Sequence, residues 1–502
     1  MMKSIRNIKS KILLVILIAA VAVLIACDTV EEGGVSDPNA INGQTENGTE
    51  DAVDESAGPI GSLPNAIDMD GRVFTFITSN WPSEAVWTVT DIIAEEMTGE
   101  ALNDAIYMRN AEVETRLNVE IREINLSACH YAYSRVDRAV TAGSNDYDFF
   151  LSRLGIFMGR AQRGSIIDLH RLGEVDFANP WWDQSSVASL SIAHKLFAVA
   201  SDITTMDNAA TSAIVFNKQL LADHALPNPY QLVRDGNWTL ETFFDMVRQV
   251  SADLNGDGVM DHHDRFGFLY QRDTLLSFFA GSGEAIGRKD ENDLPFITIN
   301  EDGAMTQMLR ILEHLYDRDT AYNVMMLPVP DFNVGADALF QNDQGLFMWI
   351  RMANVVALRS MPTDFGILPI PKRDIHQAYH SSDVNSWTGV VLTVPATNID
   401  YRETSIFLEF LAEASGRLVQ PAYRDILLDG IIARDEDSLE MLDIIFNNRT
   451  FDIGAIGRFG ELRDVLWRTM YFDMNIASWV DARMNIANRD IDRFVERILE
   501  LH

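Results

Sequence analysis

The sequence predicts an α/β protein of two lobes, each a mainly parallel sheet flanked by helices. Short apolar runs alternate with amphipathic stretches, the pattern of strands buried on both faces by helices. The alternation starts near Gly71, and the same pattern resumes near Leu196. The chain of 502 residues is also longer than a single core normally supports.

The elements follow in order. Val73–Ile77 is a short apolar strand leading into a loop that carries Trp81; an amphipathic helix follows over Leu102–Leu117, then a strand over Val119–Ile124. A helix through Tyr133–Val140 precedes a third strand at Tyr147–Ser152. Leu196–Ala200 and Ala213–Phe216 read as strands. Thr239 is placed to cap a helix whose Leu240, Phe243, Phe244 and Val247 share one face, with Glu241 in its first turn. Gly345–Ile350, Asp364–Pro371 and Thr388–Pro395 are strand-like, and Thr404–Leu418 is helical. In the last helix Ile491, Phe494, Val495, Ile498 and Leu499 keep helical spacing.

The 74 acidic residues against 40 basic ones give a formal charge of −34, a surface that repels nucleic acid and anionic lipid. The front end reads as an export signal. Lys3, Arg6, Lys9 and Lys11 precede an apolar run from Ile12 to Ala26, too short to be a comfortable membrane span, which ends at Cys27. Its last residues, LIAC, resemble the lipobox of bacterial lipoproteins, with residues 1–26 as the signal and Cys27 as the lipidated terminus. The alternative is an uncleaved anchor helix. Either way, the expectation is a protein tethered to the outer face of the cell membrane. Cys129, the one other cysteine, reads as a small buried hydrophobe. Residues 27–66 lack Lys and Arg and any apolar period, which makes an acidic, flexible tether.

The stretch DLNGDGVMDHHD, Asp253–Asp264, has the spacing of a calcium loop. Asp253, Asn255, Asp257, Asp261 and Asp264 would supply side-chain oxygens and Val259 its carbonyl, with Gly258 at the turn. The rival reading is a solvated acidic turn. A helix enters the loop and the strand-like RFGFLY leaves it, so a bound Ca²⁺ would be structural, not half of a paired sensor. His262 and His263 sit at non-ligand positions and read as solvated.

Signatures of catalysis are missing. There is no HExxH, no GxSxG and no GxxxxGK[ST], and Gly281–Gly287 lacks dinucleotide-loop spacing. A carboxylate pair for glycoside cleavage stays open as an alternative, because so many acidic residues always contain some pair. Tryptophans say more: Trp81, the pair Trp181 and Trp182, Trp349 beside Arg351, and Trp387 lie in loops or at strand ends, where indoles commonly stack on sugars. Core or rim packing is the alternative for each, and one of Trp181 and Trp182 is expected in the core.

Several segments in order resemble the solute-binding lipoproteins of carbohydrate ABC importers: Thr98–Asn110, Asn179–Gln184, Asp202–Leu221, Asn228–Phe243, the Asp253–Asp264 loop, Asp364–Lys372 and Ala433–Ile445. The resemblance implies the two-lobed periplasmic-binding-protein-like fold of type II, with a multi-strand hinge and a ligand in the cleft. It implies lobe one from 67–205 and 346–386, and lobe two from 206–345 and 387–502. It implies ligand contacts from Trp81, Asp207, Asn208, Trp349, Arg351, Asn385 and Trp387. In the competing reading Asp207 caps a turn or pairs with Arg351, and Asn385 shapes the hinge. The function implied is capture of a sugar or oligosaccharide for a membrane permease by a monomer without enzymatic activity. The alternatives are a surface glycoside hydrolase and a calcium-dependent adhesion or scaffold protein.

Overall fold

The computed structural model describes residues 67–80, 87–328, 332–431, 436–472 and 474–501. The export segment with Cys27, the acidic tether and Trp81 lie outside the described residues.

Strands β1 (Arg72–Ser79), β2 (Val119–Leu126) and β3 (Phe149–Arg153) run parallel, β1 between the other two. Helices α1 (Ala101–Leu117) and α2 (Cys129–Ala142) make the crossovers. Parallel strands need such long returns, and both faces are then covered. Phe74 and Phe76 point into one core while Ile77 and Phe150 meet Ala132 and Val136 of α2 in another.

The second sheet has β4 (Ser212–Asn217), β5 (Phe266–Tyr270), β6 (Ala321–Asn323), β7 (Gly345–Arg351) and β8 (Phe365–Leu368), in the order β6-β5-β7-β4-β8. β5, β6 and β7 are parallel, and β4 runs against its neighbours β7 and β8. Helices α3 (Leu240–Arg248) and α4 (Thr274–Gly281) pack here through aromatics. Phe243 lies 5.0 Å from Phe268 and 4.9 Å from Phe347. Gly267 is required by this contact, since a Cβ there would fall 2.0 Å from the Val247 carbonyl oxygen. Thr239 caps α3 as the sequence predicts, accepting from the Thr242 N–H.

After β8 the chain returns to the first sheet, where β9 (Val390–Thr393) pairs antiparallel with β3. Helix α5 (Tyr401–Ile431) then lies over this sheet and α1, stacking Phe407 on Phe74 at 4.1 Å. This corrects the expected lobe limits. β7 and β8, within the 346–386 span assigned to lobe one, belong to the second sheet, while β9 and α5, assigned to lobe two, complete the first. Apolar strands of similar composition do not reveal their sheet partner, so the pattern located the strands but not their lobe. Helices α6 (Leu462–Thr469) and α7 (Ile476–Leu501) finish the chain.

Between the sheets three segments lie side by side. Thr211 bridges Val384, Ser382–Asp383 pairs in parallel with Arg449–Thr450, and the Asn385 N–H donates to the Ala210 carbonyl at 3.0 Å. Arg449 pins them, reaching Asp183 at 2.5 Å, Asp207 at 2.8 Å and the Asn208 side-chain oxygen. This is the multi-strand hinge.

Candidate ligand-binding cleft

In open α/β sheets the carboxyl ends of parallel strands offer backbone loops to a ligand. Here Asn80 follows β1, Ala128 and Cys129 follow β2, and Gly155 and Ile156 follow β3. With Ser386 and Trp387 from the segment before β9, they enclose a cavity of about 340 Å³, within the range of small-molecule sites. Cys129 is therefore half-buried at the cavity wall, not a core residue. Asn385 builds the turn that presents Trp387: its Oδ1 accepts the N–H groups of Trp387 at 3.0 Å and Thr388 at 3.1 Å. Trp387 remains 38% exposed. Gly155 lets the β3 loop touch this turn, donating to the Ser386 carbonyl at 2.7 Å, where an added Cβ would stand 2.9 Å from the same oxygen.

The second sheet contributes its own carboxyl ends. Gln271, Arg272 and Asp273 follow β5, and β7 ends on Trp349 and Arg351. The Arg351 guanidinium donates to Asp273 and lies 5.2 Å from the Trp87 ring and 5.4 Å from the Trp349 ring. Trp87 belongs to the first lobe, where its carbonyl accepts from Arg153. The stack thus spans the two sheets. Helix α6 adds a second one: Arg463, fully buried, donates to Ser386 Oγ at 2.8 Å and lies 4.4 Å from the Trp467 ring and 5.8 Å from that of Trp387. Arg272 lies 4.7 Å from the same Trp467 ring.

These residues carry buried polar atoms that have no hydrogen-bond partner among the described residues: Nε of Arg272, Arg351 and Arg463, Nε1 of Trp349 and Trp467, and Oδ1 of Asp273 and Asp383. The hinge holds others, on Asp207, Ser382, Arg449 and Thr450, but those at the carboxyl ends of the strands stand where a polar ligand could complete them. Burial pushes the Asp383 carboxyl up to about 6 against the lowering effect of Ser277 and Ser212.

Of the residues expected in the site, Trp387 lines the cavity, and Trp349 and Arg351 stand at the carboxyl end of β7, the central strand of the second sheet, both more than nine-tenths buried. Asn385 shapes the turn, as its competing reading had it. The side chains of Asp207 and Asn208 are taken up by the hinge, against Arg449 and not Arg351; Asn208 also donates to Gln420 at 2.9 Å. Trp182 is the core member of its pair, and both indoles donate to Glu409. The sequence reading missed Trp87, Arg153, Arg272, Asp273, Arg463 and Trp467. Arg272 and Asp273 had a signal, as charged residues directly after an apolar strand. Trp467 had none, since LRDVLWRT reads as an ordinary amphipathic helix.

No family profile matches the chain, and no curated protein matches it in sequence. Solved structures match it in fold. An ABC substrate-binding protein from Listeria monocytogenes in complex with cycloalternan aligns with a TM-score of 0.52 at 13% identity, over 85% of this chain and 99% of that one. M. tuberculosis UspC gives 0.56 at 14%, over 83% and 100%. The maltose/maltodextrin-binding domain MalE from Bdellovibrio bacteriovorus, bound to maltotriose, gives 0.51 at 13%, over 84% and 100%. The chain has the two-lobed fold of the ABC sugar-binding proteins. Within this sugar-binding-protein fold, the tryptophan and arginine cluster sits where the carboxyl ends of the two sheets converge.

The 253–264 loop lies on the second lobe, away from this cluster in the chain's order and closed by a bridge between Ala252 and Arg265. Its acidic side chains turn inward onto loop N–H groups: Asp253 accepts from Gly256 and Gly258, Asn255 from Asp257, Asp257 from Val259, and Asp264 from Leu254 and Asp261. Gly258 adopts φ 80°, the left-handed turn expected of it. The donors are the hard oxygens that calcium takes. They are not gathered into one sphere: among the described residues, the acidic or histidine group whose ligand atoms all lie within 4.8 Å is Asp261, His262 and His263.

Proposed function

We propose that the protein captures a sugar or oligosaccharide outside the cell and passes it, chemically unchanged, to an ABC permease. The observation that carries this reading is the convergence of exposed and buried indoles with unpaired donors and acceptors between two hinged sheets. Indole faces match the apolar faces of pyranose rings, and the unpaired groups match hydroxyls; a wrong solute would leave them unsatisfied. Closure about the Arg449 hinge would bring the two carboxyl edges onto the ligand. Thermal-shift screening against a glycan panel tests this directly, with a rise in melting temperature for one glycan class as the expected result. The same mixtures assayed for new reducing ends should show none; their appearance would establish the hydrolase reading instead.

The basic and apolar front end, cut before Cys27 and lipidated there, would hold the folded part at the outer face of the cell membrane on the acidic tether. We also infer that Ca²⁺ clips the 253–264 loop, drawing Asp253, Asn255, Asp257, Asp261 and Asp264 and the Val259 carbonyl into one sphere. A chelator should then lower the melting temperature while ligand affinity is largely retained.

A further inference from the structure

Acidic residues outnumber basic ones 74 to 40, yet Arg153, Arg272, Arg351 and Arg463 gather around the cleft. Two of them are answered by protein. Arg351 is paired with Asp273, and Arg153 donates to the carbonyls of Thr388 and Trp87. The other two keep unmet donors, although Arg463 Nη1 donates to Ser386 Oγ. Arg272 lies on the Trp467 ring with its Nε buried and unpartnered. Arg463 is fully buried, and the carboxylate beside it, Asp464, stands 3.6 Å away and is shared with Arg458, which holds it at 2.6 Å. Arg463 Nε and Nη2 and Trp467 Nε1 all lack a hydrogen-bond partner among the described residues.

Withdrawing a guanidinium from water without an anion is expensive, and a hydroxyl repays little of it; a carboxylate accepts two parallel N–H bonds in the fork geometry that arginine presents. The cluster has donors in excess around the Trp467 indole, over whose ring both guanidiniums lie. We propose that the cleft selects an acidic oligosaccharide, one bearing a uronate carboxylate, which binds Arg272 and Arg463 beside Trp467. This rests on the sugar-binding reading and narrows it to a substrate class. The acceptors Asp273 and Asp383, near Arg351, would take hydroxyls of the neutral part of the ligand.

Calorimetry with tetramers of galacturonate, glucuronate and mannuronate, each beside its carboxyl-reduced neutral counterpart, tests the proposal. The expected result is at least one uronate tetramer bound tenfold or more tighter than its reduced form, with an affinity that falls as NaCl rises. Arg272→Gln, at an unchanged melting temperature, should abolish that preference, weakening the uronate tetramer tenfold or more beyond any loss shown by its reduced form. Tight binding of neutral tetramers without preference for the acid would overturn the acidic specificity and leave the sugar reading standing. Binding of neither class would remove both. Retention of the acid preference in Arg272→Gln would show that the carboxylate is read elsewhere, which also overturns the assignment.

Discussion

Trp387 and Trp349 look equivalent in the sequence, each an indole beside a strand, but their surroundings give them different tasks. Trp387 is held on a turn at the cavity rim and is partly exposed, so Trp387→Ala should weaken ligand binding by about 1–3 kcal/mol with little change in melting temperature. Trp349 is only 3% exposed, and truncating it opens a core cavity, so Trp349→Ala should lower stability by about 3–5 kcal/mol as read by denaturant unfolding. A third residue, Asp202, tests the hinge through pH. Burial first, and Asp207 next, push its carboxyl from 3.8 up to about 7. A folded acid with a raised pKa binds a proton that the unfolded chain has already released, so its contribution is complete below about pH 4 and is lost as the pH rises through 7. Asp207, pushed up to about 6 by burial against the opposing Arg449, titrates with the same sign. Asp202→Asn should therefore flatten the fall in stability between pH 4 and 8, by roughly 4 kcal/mol at most, and be more stable than the parent above pH 7.

Elements were largely legible from the sequence because periodicity is local. Val119–Ile124, the Thr239 helix and the terminal helix all stand where the apolar spacing put them. What escaped was pairing over long sequence distances. Nothing near Gly345 states that β7 lies between β5 and β4, and nothing in NPWWDQ states that its Asn and two indoles converge on Glu409 of α5, more than two hundred residues on. The same holds for the site. Trp387 was visible as a loop aromatic, whereas Arg463 and Trp467 become site residues only because α6 docks against the Ser386 turn. Glu409 tests the long-range staple. Its carboxylate, raised by burial and lowered by the bond from Asn179, accepts from three side chains that would lose their partner together. Glu409→Ala should destabilise by about 3–5 kcal/mol, measured by chemical denaturation.

At the scale of the folded body, residues 67–501, the arrangement is two sheets joined by adjacent segments that Arg449 holds together. A closed complex must rotate about these segments, so small-angle scattering should show a lower radius of gyration when the ligand is present. Arg449→Ala, which leaves Asp183 and Asp207 unpaired in the hinge, should impair stability more than contact with ligand. β9 and α5, which finish the first sheet, come from residues 390–431, after the whole second sheet has been laid down. The first sheet is therefore complete only after about four-fifths of the polypeptide has been made, and the second lobe later still, because residues Glu436–Asn447 pack on β8 and α6 packs on α4. On the export we propose, that delay would suit an extended chain in transit, because neither lobe can close on its own residues until its late-coming elements have followed.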